Sequence, residues 1–511
     1  MSTVAAPLTA SPPVNVPLTS VGLALAVFMQ VMDGTIANVS LPTIAGNLGV
    51  TPSQSAWVIT TFTLCNAIAL PLTGFLVRRI GQVRLFLWAT LLFTLSSLLC
   101  GLAWNMEALL LFRALQGLVA GPMIPTTQAL MLSIYPQERR SFALSVIAMV
   151  TVVAPIAGPL LGGWITERYA WEWAFLINVP IGLLACSVVF DQLGKRVEST
   201  VQSKVDYVGL AALIIGVGAL QLVLDKGNDE DWFHSDMIII ASVIAVIGIA
   251  FFLIWELTEP NPIVNLKLFR YRNFAAGTLT LILAYSAFFS VNVMVPSWLQ
   301  HSLNYTAIWA GLAAAPMGIL PVLTTPFMGK YAARLNMRMT VCFAFGALAL
   351  SCFLRAGFAT DISFEQVALV QLLQGLGLAL FIMPINTILL SDLKPEEIAA
   401  GSGLSTFLRT LGASFAVSIT TLLWERRTIH HHAHLSESIS LYSPSVRQQL
   451  ASLAPQHSTA MAEKMLNGQA YQIAFNDVSL LLGWVYIAAI ALVWLAKPPF
   501  KPKGGPGAAK K

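Results

Sequence analysis

Apolar runs of about 20 residues recur along almost the whole chain, separated by short stretches rich in polar, charged, glycine and proline residues. That length is what a helix needs to cross the hydrocarbon core of a bilayer, and the pattern predicts fourteen membrane-spanning helices. Six fall near 20–40, 55–77, 83–103, 107–130, 141–165 and 172–190. Two more, near 206–224 and 236–256, stand between short charged linkers. A second group of six follows near 274–298, 306–328, 339–358, 364–391, 402–424 and 472–496. The fold class read from this is an all-α polytopic membrane protein. It comprises a tail (1–19), an N-terminal six-helix bundle (20–190), a linker with two extra membrane helices (191–272), a C-terminal six-helix bundle (273–496) with an outer loop (425–470), and a second tail (497–511).

An internal repeat supports two related halves. Gly74 and Arg79 close the second span with the spacing that Gly329 and Arg334 have after the tenth. Likewise, LQG at 115–117 returns at 373–375, and Tyr135-Pro136 falls near the counterpart of Lys394-Pro395. The offsets of 255, 258 and 259 residues drift little, as parallel repeats of a transporter require.

Composition agrees: 56% of the residues are hydrophobic and 10% charged, against about 25% charged in soluble domains. The net charge of +5 points to topology rather than to a nucleic-acid partner. With the N-terminus inside, 20 of the 29 Lys and Arg residues lie on the cytoplasmic side, seven lie outside, and Arg113 and Arg409 stand within spans. That bias places both termini in the cytoplasm. Residues 1–77 carry a single charged side chain, Asp33, so the basic flank of a secretory signal is missing and the first helix is expected to be retained. The five cysteines fall in apolar runs without metal-ligand or redox spacing. No segment outside the membrane is long enough for a catalytic domain and no Walker A pattern occurs, which argues against an enzyme and leaves an ion gradient as the energy source.

Asp33 stands mid-span in QVMDGTIANVSLP. An aspartate there costs about 2.5–3.5 kcal/mol on insertion, so such residues face a cavity or a partner. The membrane interior disfavours the anion, which makes Asp33 a proton-binding candidate; a permanently paired structural carboxylate is the alternative. Arg113 and Gln116 share a face of the fourth span. Arginine does not release its proton, so Arg113 is read as tuning that carboxylate, or else as a structural donor to a neighbouring helix. In APIAGPLLGG, Ala154, Gly158 and Gly162 recur every four residues, with Pro159 and Gly163 beside them. Small residues so spaced allow close helix approach; the proline favours a hinge and seal between halves over a plain packing groove.

Asn38, Tyr285, Asn292, Asn386 and Arg409 are candidate substrate-cavity residues, although the polar ones would serve equally to satisfy backbone in helix interfaces. Tyr285, Phe288, Phe289, Met294, Trp298 and Met383 would suit a pliable apolar pocket, or simply face core and lipid. His430, His431, His432 and His434 have no carboxylate or cysteine at a metal-ligand spacing and read as a solvated helical face, as does the acidic loop at 225–236. No metal site is expected.

MDGTIANVSLPTI at 32–44, RALQG at 113–117, GPLLGG at 158–163 and WEWAFLINVPIG at 171–182 resemble the helix signatures of the fourteen-helix drug:proton antiporter family of the major facilitator superfamily, in its EmrB-type branch. The resemblance covers nearly the whole chain. Arg79 and Gly81 match the superfamily's second-to-third loop, but Arg78 stands where its pattern has aspartate, which puts the gating salt bridge assigned to that aspartate in doubt.

The resemblance implies export of small hydrophobic drugs or fatty acids across a bacterial inner membrane in exchange for protons, with no cofactor beyond the proton motive force. It also implies partnership with a periplasmic adaptor of the EmrA type and a TolC-like outer-membrane channel, the loop Glu425–Ala470 being the candidate contact. A metabolite facilitator of the same fold and a non-transporting membrane sensor are the alternatives. GPLLGG argues against the first, and retention of Asp33, Arg113 and two intact halves against the second.

Overall fold

Apolar sequence of this density becomes helix because a bilayer offers no water to unpaired backbone groups. The computed structural model describes residues 14–55, 57–136, 139–196, 206–260, 262–303, 305, 307–331, 335–438 and 458–500. The ends of both tails, Arg334 and the middle of the loop 425–470 lie outside these residues. The spans are α1 (Val16–Leu48), α2 (Trp57–Ile80), α3 (Gln82–Gly101), α4 (Met106–Ala120 continuing as Met123–Ile134), α5 (Arg140–Arg168), α6 (Asn178–Leu193) and α7 (Tyr207–Lys226). They continue as α8 (Asp236–Thr258), α9 (Arg272–Ser302), α10 (Ala307–Ala314 and Ile319–Tyr331), α11 (Met337–Arg355), α12 (Phe364–Leu390), α13 (Ile398–Ser438) and α14 (Ser458–Val493). Among the described residues twelve helices are long and apolar enough to cross a membrane, and two shorter apolar stretches, Arg140–Pro155 and Trp309–Thr324, hold the fifth and tenth places.

Helix starts follow local chemistry: side chains of Asn15, Asn105, Asp206, Asn336 and Ser363 accept free backbone N–H groups at the heads of α1, α4, α7, α11 and α12. Breaks follow proline: α4 is interrupted at Gly121-Pro122, and α10 tightens into a 3-10 turn at Ala315–Gly318 around Pro316. Gly81, at φ 95°, links α2 to α3 through a conformation that favours glycine.

The repeat is physical. A Cβ on Gly117 of α4 would meet Phe62 and Cys65 of α2, and one on Gly375 of α12 would meet Met317 in the tenth span, so the two LQG motifs bring corresponding helices into the same close approach. The two bundles meet where α13 crosses α2 and α4, and where α5 meets α10 and α12. At the first seam a Cβ on Gly74 would lie 2.5 Å from the Ala400 Cβ, one on Gly403 would lie 3.0 Å from the Leu70 carbonyl oxygen, and the Ser402 hydroxyl donates to Gln128.

Gly158 and Gly162 of GPLLGG do not form that seam. Gly158 and Gly162 lie against Thr35 and Ile36 of α1, inside the N-terminal bundle, and α5 runs as one helix through Pro159. The repeated small residues do permit close approach, but to a neighbour in the same bundle.

The two extra helices pack glycine on glycine, Gly216 against Gly248, and α7 lies across the seam. Gln221 Nε2 donates to Ser414 Oγ of α13 at 3.0 Å and Asn228 Nδ2 to the Ser418 carbonyl at 3.4 Å, while Lys226 Nζ sits over the Trp57 ring of α2 at 5.3 Å. The acidic loop is therefore partly docked, with Lys226 buried, rather than merely solvated.

Helices α13 and α14, of 41 and 36 residues, are about 60 and 54 Å long at 1.5 Å per residue. A hydrocarbon core is about 30 Å thick, so both extend past it. The two helices are tied to each other by Arg427 to Asp477 at 3.0 Å, His431 to Asp477 at 2.8 Å and His432 to Glu463 at 3.0 Å. The histidines thus find carboxylates 46 and 31 positions away on the facing helix, which reading along α13 alone did not reveal. Among the described residues no group of three or more His, Cys, Asp or Glu side chains is placed to hold a metal ion.

Candidate functional site

Four helices of the N-terminal bundle bring their polar side chains to one buried point. Asp33 of α1, Arg113 and Gln116 of α4, Ser97 of α3 and Asn178 at the start of α6 are all fully buried. Asp33 Oδ2 accepts from Arg113 Nη1 at 2.6 Å, and Oδ1 accepts from Asn178 Nδ2 at 2.7 Å and Gln116 Nε2 at 3.1 Å. Asn178 Nδ2 also reaches Ser97 Oγ at 3.0 Å, and Ser97 donates to the Phe175 carbonyl at 2.9 Å.

Arg113 is held independently of the carboxylate. Its Nε donates to the Val58 carbonyl at 3.1 Å and its Nη1 to Gln116 Oε1 at 2.8 Å, while the guanidinium lies 4.2 Å over the Phe62 ring and 5.5 Å from that of Phe175. A buried ion pair survives only with its remaining hydrogen-bonding capacity met, and here all but Arg113 Nη2 and Asn178 Oδ1 find partners among the described residues. The chemistry open to this arrangement is proton transfer onto Asp33: a proton there removes the charge that Arg113 balances, yet α2 and Gln116 still hold the arginine.

Asp33, Arg113 and Gln116, expected from sequence as a unit, are brought together. Asn178 was missed, although it lies in the WEWAFLINVPIG segment; an asparagine in an apolar run carries a weaker signal than an aspartate. Gly74 is at the seam between bundles, and Arg79 is exposed at the end of α2. Ala154 is buried and Gly163 half-buried on α5.

The cavity candidates divide. Asn292 and Asn386 donate to carbonyls of their own helices, Phe288 at 2.8 Å and Ile382 at 2.9 Å, and Asn38 is exposed. Trp298, Met294 and Met383 are core, with Trp298 Nε1 bonded to Gln472 at 2.6 Å. Arg409 and Tyr285 do meet, the guanidinium 4.3 Å over the ring. Arg355, in the last turn of α11, is fully buried and donates to Gln371, Gln374 and Ser351. Gln374 thus serves an arginine that has no carboxylate beside it among the described residues, where its repeat partner Gln116 serves an Asp–Arg pair.

Two bundles of membrane-length helices, with an acid–arginine pair buried in one of them, are the architecture of a membrane carrier. The Major Facilitator Superfamily model matches residues 23–417, and the chain belongs to that superfamily. It is 45% identical to the multidrug export protein EmrB of Escherichia coli K12 over 96% of this chain and 97% of that one. It is also 43% identical to the fatty acid resistance protein FarB of Neisseria gonorrhoeae over 95% and 97% respectively. Its fold is similar to the crystal structure of the human organic anion transporter MFSD10 (TETRAN), with a TM-score of 0.58 and 13% identity over 94% of this chain and 98% of that one.

Proposed function

We propose that this protein exports small hydrophobic or amphipathic compounds, drugs or fatty acids among them, across a bacterial inner membrane in exchange for protons, by alternating access between its two bundles. Similarity to EmrB and FarB along nearly the full length supports the substrate range. The observation that carries proton coupling is the buried Asp33–Arg113 pair with its two amide donors.

In this reading Asp33 takes up the proton and loses its hold on Arg113, which stays with Val58 and Phe62 of α2. The same helix carries Leu70, Thr73 and Gly74 to the seam with α13, so a change in how α1 and α2 are tied reaches the contact that closes the bundles together. Gln116 and Asn178 set the affinity for the proton. The energy source is the proton motive force, worth about 2.3 kcal/mol per charge per 100 mV, and no cofactor takes part. Both termini lie in the cytoplasm, as the distribution of Lys and Arg supports. The projecting ends of α13 and α14 then stand in the periplasm, where they offer an adaptor of the EmrA type, and through it a TolC-like channel, a surface to engage.

The test is proton release from proteoliposomes under an imposed pH gradient when drug is added, for the native protein and Asp33→Asn. Drug-dependent release by the native protein and none by a variant that still binds drug is the expected result. Equal release by both would remove Asp33 from the coupling role.

A further inference from the structure

Among the described residues, the C-terminal bundle holds a cation at Arg409 that no carboxylate balances. Arg409 of α13 is 8% exposed, and among the described residues it makes no ion pair and no side-chain hydrogen bond; its buried Nε is without a partner. Its one close neighbour of note is the Tyr285 ring, which in turn contacts Phe288 and Phe289 at 5.9 and 6.0 Å between centroids. Ser286 Oγ is also buried and unpartnered, and it stands beside Gly412, one turn along α13 from Arg409.

The direction in which Arg409 points follows from helical periodicity. Ser402 and Arg409 are seven residues apart, which places them on one face of α13, and Ser402 bonds to Gln128 of the opposite bundle. Two turns beyond that contact, the same face presents Arg409 to the space between the bundles. A buried guanidinium without an anion leaves a strong electrostatic demand unmet. An aromatic cluster beside it supplies the apolar half of an amphipath's environment.

We propose that Arg409, with Ser286, binds the anionic head of a monoanionic amphipathic substrate, its apolar body lying along Tyr285, Phe288 and Phe289. The inference rests on the export reading above and assigns it a substrate class and a head-group residue. It separates the two charges handled in the cycle: the proton sits inside the N-terminal bundle at Asp33, and the substrate's negative charge in the C-terminal one at Arg409.

Two probes that share one aromatic scaffold decide the matter: 1-anilinonaphthalene-8-sulfonate, a permanent anion, and neutral N-phenyl-1-naphthylamine. Initial rates of pH-driven transport are measured in proteoliposomes for the native protein, Arg409→Gln, Arg409→Lys and Ser286→Ala. Loss of a charge-assisted contact predicts that Arg409→Gln raises KM for the sulfonate about tenfold to a hundredfold, with transport of the neutral probe within about twofold of native. Arg409→Lys, which keeps the charge, restores most of the sulfonate transport, and Ser286→Ala gives a smaller loss confined to the anion.

An equal loss for both probes in Arg409→Gln and Arg409→Lys, or no change for the sulfonate, overturns the subsite and leaves the export reading intact. Native protein that moves neither probe nor any drug overturns both. Vesicles of neutral lipid compared with vesicles one-third phosphatidylglycerol separate a transported anion from a resident lipid: competition by the anionic lipid would overturn the substrate assignment.

Discussion

Replacing Gly74 with alanine places a methyl group where the structure has no room for one. The added Cβ would lie 2.5 Å from the Ala400 Cβ and 2.9 Å from the Ala400 Cα. Neither atom belongs to a flexible side-chain end, so relief requires α2 and α13 to part by roughly 1 Å, and overpacking of this kind costs about 1–3 kcal/mol. The cost falls only on the conformer in which the two helices touch. The equilibrium between closed and parted bundles therefore shifts about fivefold to 150-fold toward the parted state, at a factor of ten per 1.4 kcal/mol.

The assay is the distance between spin labels at positions 79 and 394, exposed at the end of α2 and in the segment leading into α13, in a background without the native cysteines and by double electron–electron resonance. The expected result is a new longer-distance population together with slowed drug efflux. Gly46→Ala is the control, because nothing stands within 4 Å of its added Cβ, and it should behave as native. An unchanged distance distribution in Gly74→Ala with native efflux would refute the claim that this contact defines the closed seam.

Further outcomes concern the buried network. Arg113→Leu leaves Asp33 uncompensated and should lower stability by about 3–5 kcal/mol. The double variant with Asp33→Asn should recover much of that loss, read from thermal unfolding of all four proteins as a double-mutant cycle. Asn178→Leu removes the 2.7 Å donor to Asp33, a charge-assisted bond worth about 1.5–3 kcal/mol; unfolding at native temperature in that variant would show that Gln116 and Arg113 alone suffice.

The spans and the Asp33–Arg113–Gln116 unit were legible because charge in the middle of an apolar run is rare and its position along the helix follows from period alone. What periodicity withholds is the identity of the neighbour. The faces of Gly158 and Gly162 were correctly grouped on one side of α5, but which helix that side meets is a matter of tertiary packing, and it is α1 rather than the other bundle. His431 and Asp477 are far apart in sequence and meet only because α13 and α14 run side by side. Arg355 in the last turn of α11 meets Gln371 and Gln374 of α12 only because those two helices pack side by side. Asn178 was hidden for a different reason: an amide tolerates so many environments that its residue type alone says little.

The helix α7 touches α2 on one side and α13 on the other, but among the described residues the hydrogen bonds it shares across the seam go to α13. The hydrogen bonds from Gln221 to Ser414, from Asn228 to the Ser418 carbonyl and from Ser418 to the Leu224 carbonyl all involve α13, while α7 meets α2 through Lys226 over the Trp57 ring. At about 1 kcal/mol each, they favour α7 staying with α13 by roughly 3 kcal/mol, a preference of about two orders of magnitude. When α13 swings away from α2, the inserted pair should therefore travel with the C-terminal bundle, and the contact that has to yield is the one between Lys226 and Trp57.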